Sequence, residues 1–423
     1  MPLAPFVGLD AGSDIPSGGP IVAGPSPLAY AATPEVRDAI ASLGRTEDLR
    51  LAPGGRRLAI AAAARNRIVL IELEIATAGA TPQVALTHAV EISSPCLRYP
   101  HGVDFLDDDT LIVASRAGGV AIFDVSSIEP GAHFVELAPL QMLPSTANTP
   151  LQRPGSIALL GSGAVHPEIL ICNNSGNTIT KHLLDRDARY APLGGETLLQ
   201  KWLDIPDGIA ASRDGRWIAV SNHNGYCVML YENPPGAGRD APPDGLLRGP
   251  HAPHGLRFSP DGRMLFVADA GTPHVHLYTA DDAQWRGVRY PDRSIRVIDA
   301  ERFARGRYNL REGGPKGIDL DRGMRVLVVT CEWQNLAFFD LAPLLAEAVG
   351  GSADGAAILR HEIDVLGPVT DMHRRLRAAE RQAAQAADRE RKVMRRLDDL
   401  KRSLSWRLTA PLRWVHGLFI GRR

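Results

Sequence analysis

One short pattern returns along this chain about every fifty residues, and a repeat of that size restricts the fold to architectures that stack one supersecondary unit many times. Five copies open on Pro-x-Gly or a close variant: Pro100-His101-Gly102-Val103, Arg153-Pro154-Gly155-Ser156, Pro206-Asp207-Gly208-Ile209, Pro253-His254-Gly255-Leu256 and Pro315-Lys316-Gly317-Ile318. A sixth, degenerate copy begins at Glu47-Asp48-Leu49-Arg50, because Pro53-Gly54-Gly55-Arg56 follows it as Pro260-Asp261-Gly262-Arg263 follows the copy that opens on Pro253. The middle positions 47, 101, 154, 207, 254 and 316 lie 54, 53, 53, 47 and 62 residues apart.

Within each copy the opening pattern is expected to be a turn that leads into a short apolar strand. A hairpin follows in which Asp-Gly or Gly-Gly supplies the positive φ of a tight turn. A second strand comes next (Leu111-Ile112-Val113, Trp217-Ile218-Ala219-Val220, Val326-Leu327-Val328-Val329), then a third (Val120-Ala121-Ile122-Phe123, Val275-His276-Leu277-Tyr278). Alternating segments at 294–298 and 358–363 supply an outer strand with one solvated face. Four antiparallel strands repeated six times predict an all-β, six-bladed β-propeller over 46–370. A single blade cannot bury both its faces, so blade-on-blade packing must form the core. A seventh blade built from 1–45 and 355–370 is the structural alternative.

Residues 1–45 are rich in Gly and Pro and form an N-terminal extension that closes or plugs the ring. It holds one helix with Thr33 as N-cap and Pro34 at the first helical position. Beyond Thr370 the chain becomes charged and Ala-rich. Met372, Leu376, Ala379, Ala383, Ala386, Glu390, Val393, Leu397, Leu400 and Leu404 follow a 4-3 spacing, the seam of a coiled coil over 371–404, which predicts a homo-oligomer. A single amphipathic helix packed on the propeller is the alternative. Residues 371–423 carry 15 Lys and Arg against 6 Asp and Glu, leaving 32 against 42 elsewhere. The net charge of −1 and the lack of a reader fold speak against nucleic acid as a partner. Cys96, Cys172, Cys227 and Cys331 have no metal-site spacing, and reduced thiols in a cytoplasmic protein are expected.

Copies such as Pro253-His254-Gly255-Leu256-Arg257-Phe258-Ser259-Pro260-Asp261-Gly262 resemble the YVTN/lactonase-like and gluconolactonase-like (senescence marker protein) propeller repeats, over roughly residues 45–365. The resemblance implies that the residue before each inner-strand Gly faces the central channel, which would place Glu47, His101, Pro154, Asp207, His254 and Lys316 at its mouth. The turns after the second strands add Asn173, Asn222, His223, Asp269 and Glu332. These residues are the candidate ligand-binding set, and no catalytic residue is assigned among them. The gluconolactonase-like family holds a divalent metal, and Glu47 and Asp207 match two of its ligands; Ca, Mn or Zn is the ion class implied, with Asn173 or Asn222 as neutral supplements. His101 or His254 would then move protons and Lys316 would steady an anionic substrate. The same side chains also suit hydrogen bonding between blades.

The segment Ser403-Leu404-Ser405-Trp406-Arg407-Leu408-Thr409-Ala410-Pro411-Leu412-Arg413-Trp414 is similar to the Ser-x-Ser-Trp-Arg-Leu-Thr-Ala-Pro-Leu-Arg motif that ends many bacterial glycosyltransferases and methyltransferases of surface-polysaccharide assembly. No βαβ nucleotide-binding domain accompanies it here. Trp406, Arg407, Arg413 and Trp414 in 405–423 suit docking at an anionic membrane interface or on a partner. The expectation is a binding or scaffold protein of O-antigen, capsule or exopolysaccharide biosynthesis, peripheral to the cytoplasmic face of the inner membrane, whose partner is a glycan intermediate or a glycan-assembly enzyme. The alternative is a metal-dependent, lactonase-like or sugar-modifying hydrolase with its site at the channel mouth.

Overall fold

The computed structural model describes residues 21–22, 26–160, 165–235, 238–307 and 312–346, together with 385–396 and scattered positions between 372 and 399. The chain divides into two units, Met1–Leu366 and Gly367–Arg423. In the first, the described residues form six sheets, the blades of a propeller. Their inner strands, for blades I to VI in turn, are Thr46–Leu51, Pro100–Asp107, Pro154–Leu160, Pro206–Ala211, Pro253–Phe258 and Pro315–Leu320. Each inner strand packs against the next, and Pro315–Leu320 packs against Thr46–Leu51, which closes the ring.

The core forms between blades, as a unit that cannot bury both its faces requires. Along the second strand of blade I, Leu58, Ile60 and Ala62 pack with Val326, Val328 and Phe338 of blade VI. The alternate residues Ala59 and Ala61 pack with Val103, Leu111 and Val113 of blade II. The remaining interfaces repeat this alternation, with Ile112 of blade II against Ile169 of blade III and Val220 of blade IV against Leu170 of blade III. Each fully buried aliphatic side chain contributes roughly 1.5–3 kcal/mol relative to exposure.

The Pro-x-Gly pattern is the start of the inner strand rather than a turn. Gly102, Gly208, Gly255 and Gly317 do not have positive φ. A Cβ at Gly208 would lie 1.7 Å from the His254 carbonyl oxygen, and one at Gly255 2.3 Å from that of Lys316. Glycine recurs because neighbouring inner strands approach backbone to backbone. The hairpins do use left-handed glycine, with φ of 70° at Gly55 and 71° at Gly215 and Gly262.

The outer edges of blades I and IV are covered by borrowed strands, which removes open pairing sites there. Gly287–Arg289 pairs in parallel with Gly245–Leu247 of blade IV, and Phe134–Glu136 with Gln83–Ser93 of blade I. The expected outer strand at 294–298 is observed as Arg293–Arg296, whereas 358–363 lies outside the described residues. Tyr30–Ala32 pairs in parallel with the outer strand of blade I, and the Leu28 amide donates to the Phe338 carbonyl of blade VI at 2.7 Å. The helix Pro34–Ala41 follows, with the Thr33 hydroxyl accepting from the Val36 amide. This segment therefore spans the seam where the ring closes. The portion of the seven-blade alternative at 355–370 lies outside the described residues.

In the second unit residues 385–396 are helical, with Val393 and Met394 exposed. The rest of the expected coiled-coil seam beyond Val393, and the docking residues Trp406, Arg407, Arg413 and Trp414, lie outside the described residues. No helix among the described residues is long and apolar enough to cross a membrane. All four cysteines are free.

Candidate functional site at the channel mouth

Equivalent positions of the inner strands follow from pairing with the second strands. Pro206 faces Asn222, Pro253 faces Asp269 and Pro154 faces Asn173. The position before the bulge that faces the channel is therefore Gly155 in blade III, one residue beyond the Pro154 expected from the motif. The first channel tier reads Glu47, His101, Gly155, Asp207, His254 and Lys316.

Five of these six positions carry polar side chains, all buried. Lys316 Nζ donates to Glu47 Oε2 at 3.0 Å and pairs with Glu312 Oε2 at 3.1 Å. His254 Nε2 lies 3.3 Å from Asp207 Oδ2 and 3.5 Å from Glu47 Oε2. His101 Nε2 lies 3.5 Å from Asp207 Oδ1 and 3.7 Å from Glu47 Oε2. The two imidazole rings stack at a tilt, with centroids 5.3 Å apart.

A second set of side chains comes from the loops at the same end. Arg116 Nη2 lies 2.6 Å from His101 Nε2 and 3.0 Å from Asp207 Oδ1. Arg45 pairs with Glu47 Oε1 at 2.6 Å and with Glu312 Oε2 at 3.0 Å. The Tyr99 hydroxyl donates to Glu47 Oε1 at 3.4 Å. Asn174 occupies the gap at Gly155, where a Cβ would lie 2.2 Å from its Oδ1, and its amide nitrogen donates to Asp207. Blade III thus lacks a ring side chain so that a neighbouring loop can supply one.

Electrostatics follow from this mixture. Burial and then Arg116 hold His101 down at about 3, so it is neutral at pH 7. Burial works against ionisation of Asp207, yet the surrounding imidazoles and Arg116 keep its carboxyl well below the usual range. Glu47 is also buried and is likewise kept low, chiefly by Lys316. Burial pushes Glu312 up, but Lys316 and the neighbouring histidines together bring it down to about 2. The cluster therefore sets Glu47, Asp207 and Glu312 against Lys316, Arg45 and Arg116, with imidazoles between them.

The sequence-expected residues divide in two. Glu47, His101, Asp207, His254 and Lys316 are brought together, and His223 joins them, its ring nitrogens 3.8 Å from Asp207 Oδ2 and 3.7 Å from Glu312 Oε1. Glu332 is half-buried at the rim, its carboxyl raised by burial. Asn173, Asn222 and Asp269 instead tie the loop before each inner strand. Asn173 accepts from the Gln152 amide, Asn222 from the Asp204 amide, and Asp269 from the amides of His251 and Ala252. Arg45, Tyr99, Arg116, Asn174 and Glu312 were not expected from the sequence. The signal for two of them is positional, since Arg116 and Asn174 directly follow the ends of second strands, as His223 and Glu332 do.

Ligand atoms of Glu47, His101 and His254 lie within 4.8 Å of one another, which fits a divalent cation. Asp207 would be a fourth donor, whereas Asn173 and Asn222 are engaged elsewhere. Arg116 and Lys316 now hold the same donor atoms.

The other end of the channel has a second tier made of Arg50, Asp104, Ala158, Ala210, Arg257 and Asp319, which line a cavity of about 430 Å³. Arg50 pairs with Asp104 and Arg257 with Asp319, both at 3.0 Å.

No family model matches the chain, and no curated protein matches it. The crystal structure of a functionally unknown protein from Desulfotomaculum acetoxidans DSM 771 is similar to this chain at 16% identity, with a TM-score of 0.43, over 72% of this chain and 84% of that one.

Proposed function

We propose that this protein is a glycan-binding propeller that acts in bacterial surface-polysaccharide biosynthesis at the cytoplasmic face of the membrane. The observation that carries the reading is the mouth itself. Imidazoles, ionised carboxylates and guanidinium or ammonium groups converge there, with three carboxylates set against three such cations. Such a set offers many hydrogen-bond donors and acceptors to the hydroxyls of a sugar without a strong preference for a bulk ion. The tail motif at 403–414 supports the pathway, because it resembles the terminus of polysaccharide-assembly enzymes while a propeller stands in the place of the enzyme. In this reading the coiled-coil segment joins copies, and Trp406, Arg407, Arg413 and Trp414 rest on lipid headgroups or on a partner enzyme.

A second reading, metal-dependent sugar or lactone hydrolysis, draws support from the convergence of Glu47, His101, His254 and Asp207. These residues would hold the ion, which when bound supplies Lewis-acid polarisation and an acidified water. His223, beside both Asp207 and Glu312, is placed to hold a proton, and Arg45 and Lys316 to orient an anionic group.

One set of titrations on the full-length protein tests both. Binding of hexoses or uronic acids by metal-free protein, lost in Asp207→Asn, is expected, along with flotation on anionic phosphatidylglycerol vesicles that Trp406→Ala/Trp414→Ala abolishes. Absence of sugar binding would overturn the first reading. A stoichiometric site for Zn²⁺, Mn²⁺ or Ca²⁺ that is lost in Asp207→Asn and is required for sugar turnover would establish the second.

A further inference from the structure

Beside the central cluster, a cavity of about 210 Å³ is lined by His223, Asn224, Tyr226, His251, Gly271 and Arg307. This volume is below the ~300 Å³ at which sites for drug-sized ligands begin and matches a single ring. We propose that the cavity is a subsite for one acidic saccharide residue, a sugar that bears a carboxylate or a phosphate, with Tyr226 as its stacking platform. The proposal rests on the glycan reading and adds the class of sugar.

Two independent features point there. The lining contains two histidines, an arginine and an asparagine but no carboxylate, in contrast to the charge-balanced mouth next to it. Tyr226 supplies the second feature. It ends the short helical turn His223–Gly225 with φ 52°, and the residue is 52% exposed. The corresponding turn of blade I, Ala63–Arg65, ends in Asn66 at φ 54°. Asparagine adopts that left-handed conformation readily, whereas a tyrosine held there is disfavoured. Blade IV therefore presents an exposed aromatic ring where blade I carries an asparagine. An aromatic face offers rigid apolar area for the C–H face of a pyranose. His223 belongs to both the cavity and the central cluster, so an acidic residue in the cavity would place its neighbour in a glycan over His101 and Asp207.

The test uses full-length protein and titrates glucose, glucuronate, galacturonate, glucose 6-phosphate and inorganic phosphate by calorimetry or ligand-observed NMR. At least one acidic sugar is expected to bind about tenfold tighter than glucose, with a loss of about tenfold in Tyr226→Asn. That variant relieves the backbone, so its thermal midpoint should hold or rise, and a loss of binding then reports on the ring alone. Preference for the uronates over glucose 6-phosphate, or the reverse, identifies the acidic group. Equal binding of glucose, inorganic phosphate binding as tightly as the sugar phosphate, or unchanged binding in Tyr226→Asn would each overturn the subsite. If Asp207→Asn still weakens sugar binding in those cases, the glycan reading stands without it. Failure of every sugar to bind overturns both.

Discussion

At one end of the channel Glu47, Asp207 and Glu312 are held ionised, whereas Asp104 and Asp319, three residues further along the same inner strands as His101 and Lys316, are pushed upward, Asp104 to about 6. All of these carboxyls are largely or wholly buried, so burial alone does not separate them. The number of cations per carboxylate does. At the mouth, Lys316, Arg45 and Arg116 serve three carboxylates, and imidazole nitrogens lie close to all three of them. In the second tier Arg50 and Arg257 serve Asp48, Asp104 and Asp319, so the carboxylates outnumber the cations by one. A ring fold supplies identical backbone positions at both levels, and the charge count at each level decides whether its carboxyls stay ionised well into acid or take up a proton as the pH falls toward 6.

The largest break in this contrast is expected from Lys316→Met. Lys316 is 2% exposed and serves both Glu47 and Glu312, so its loss strands buried charge and should destabilise the protein by about 3–5 kcal/mol in urea unfolding. Arg257→Met at the other end should cost clearly less, because Asp319 and Asp48 are already inclined to take up a proton. Equal losses would show that charge count does not separate the two tiers.

A second pair of variants sharpens what the ring positions are for. Gly208→Ala drives a Cβ into the His254 carbonyl, a backbone atom that cannot move without shifting a blade. Gly155→Ala meets only the Asn174 side chain. Each should cost about 1–3 kcal/mol through overpacking. Adding Asn174→Ala should restore most of the loss for Gly155→Ala and none for Gly208→Ala, as read from thermal midpoints. Rescue of both would mean that the glycines do not set the spacing between blades.

These glycines also mark how far the sequence is legible. The blades can be read because strands of period two, hairpin glycines and a fifty-residue repeat are all local signals. For the same reason the repeat sets Glu47, His101, Asp207, His254 and Lys316 at equivalent positions, and the family resemblance turns those positions toward the channel. Blade III misleads by one residue, since Arg153-Pro154-Gly155 places its glycine at the channel-facing position itself and not after it. Asn173, Asn222 and Asp269 look like ligands because they are polar and sit at a turn, yet their oxygens are consumed by backbone amides of the preceding loop. Glu312 and Arg45 are illegible because they reach the site from segments outside the repeat, and only ring closure between blades VI and I brings them together at 3.0 Å.

The smallest effect, and the one that sets the two tiers most directly against each other, is the dependence of stability on pH. His101 titrates at about 3 in the folded protein against 6.5 unfolded, so between those values the unfolded chain holds the extra proton and stability rises with pH. Asp104 titrates at about 6 folded against 3.8 unfolded, so there the folded chain holds the extra proton and stability falls as pH rises. Between about pH 4 and 6 the two act in opposite directions, each by at most about 1.4 kcal/mol per pH unit. Asp104→Asn should therefore make the slope of unfolding free energy against pH more positive than in the wild type, and His101→Gln should make it more negative. Urea midpoints at half-unit steps from about pH 4 to 6.5 read both changes. Slopes that move together in the two variants would mean that the tiers share one protonation equilibrium, and the separation of a fully ionised mouth from a proton-holding second tier would have to be given up.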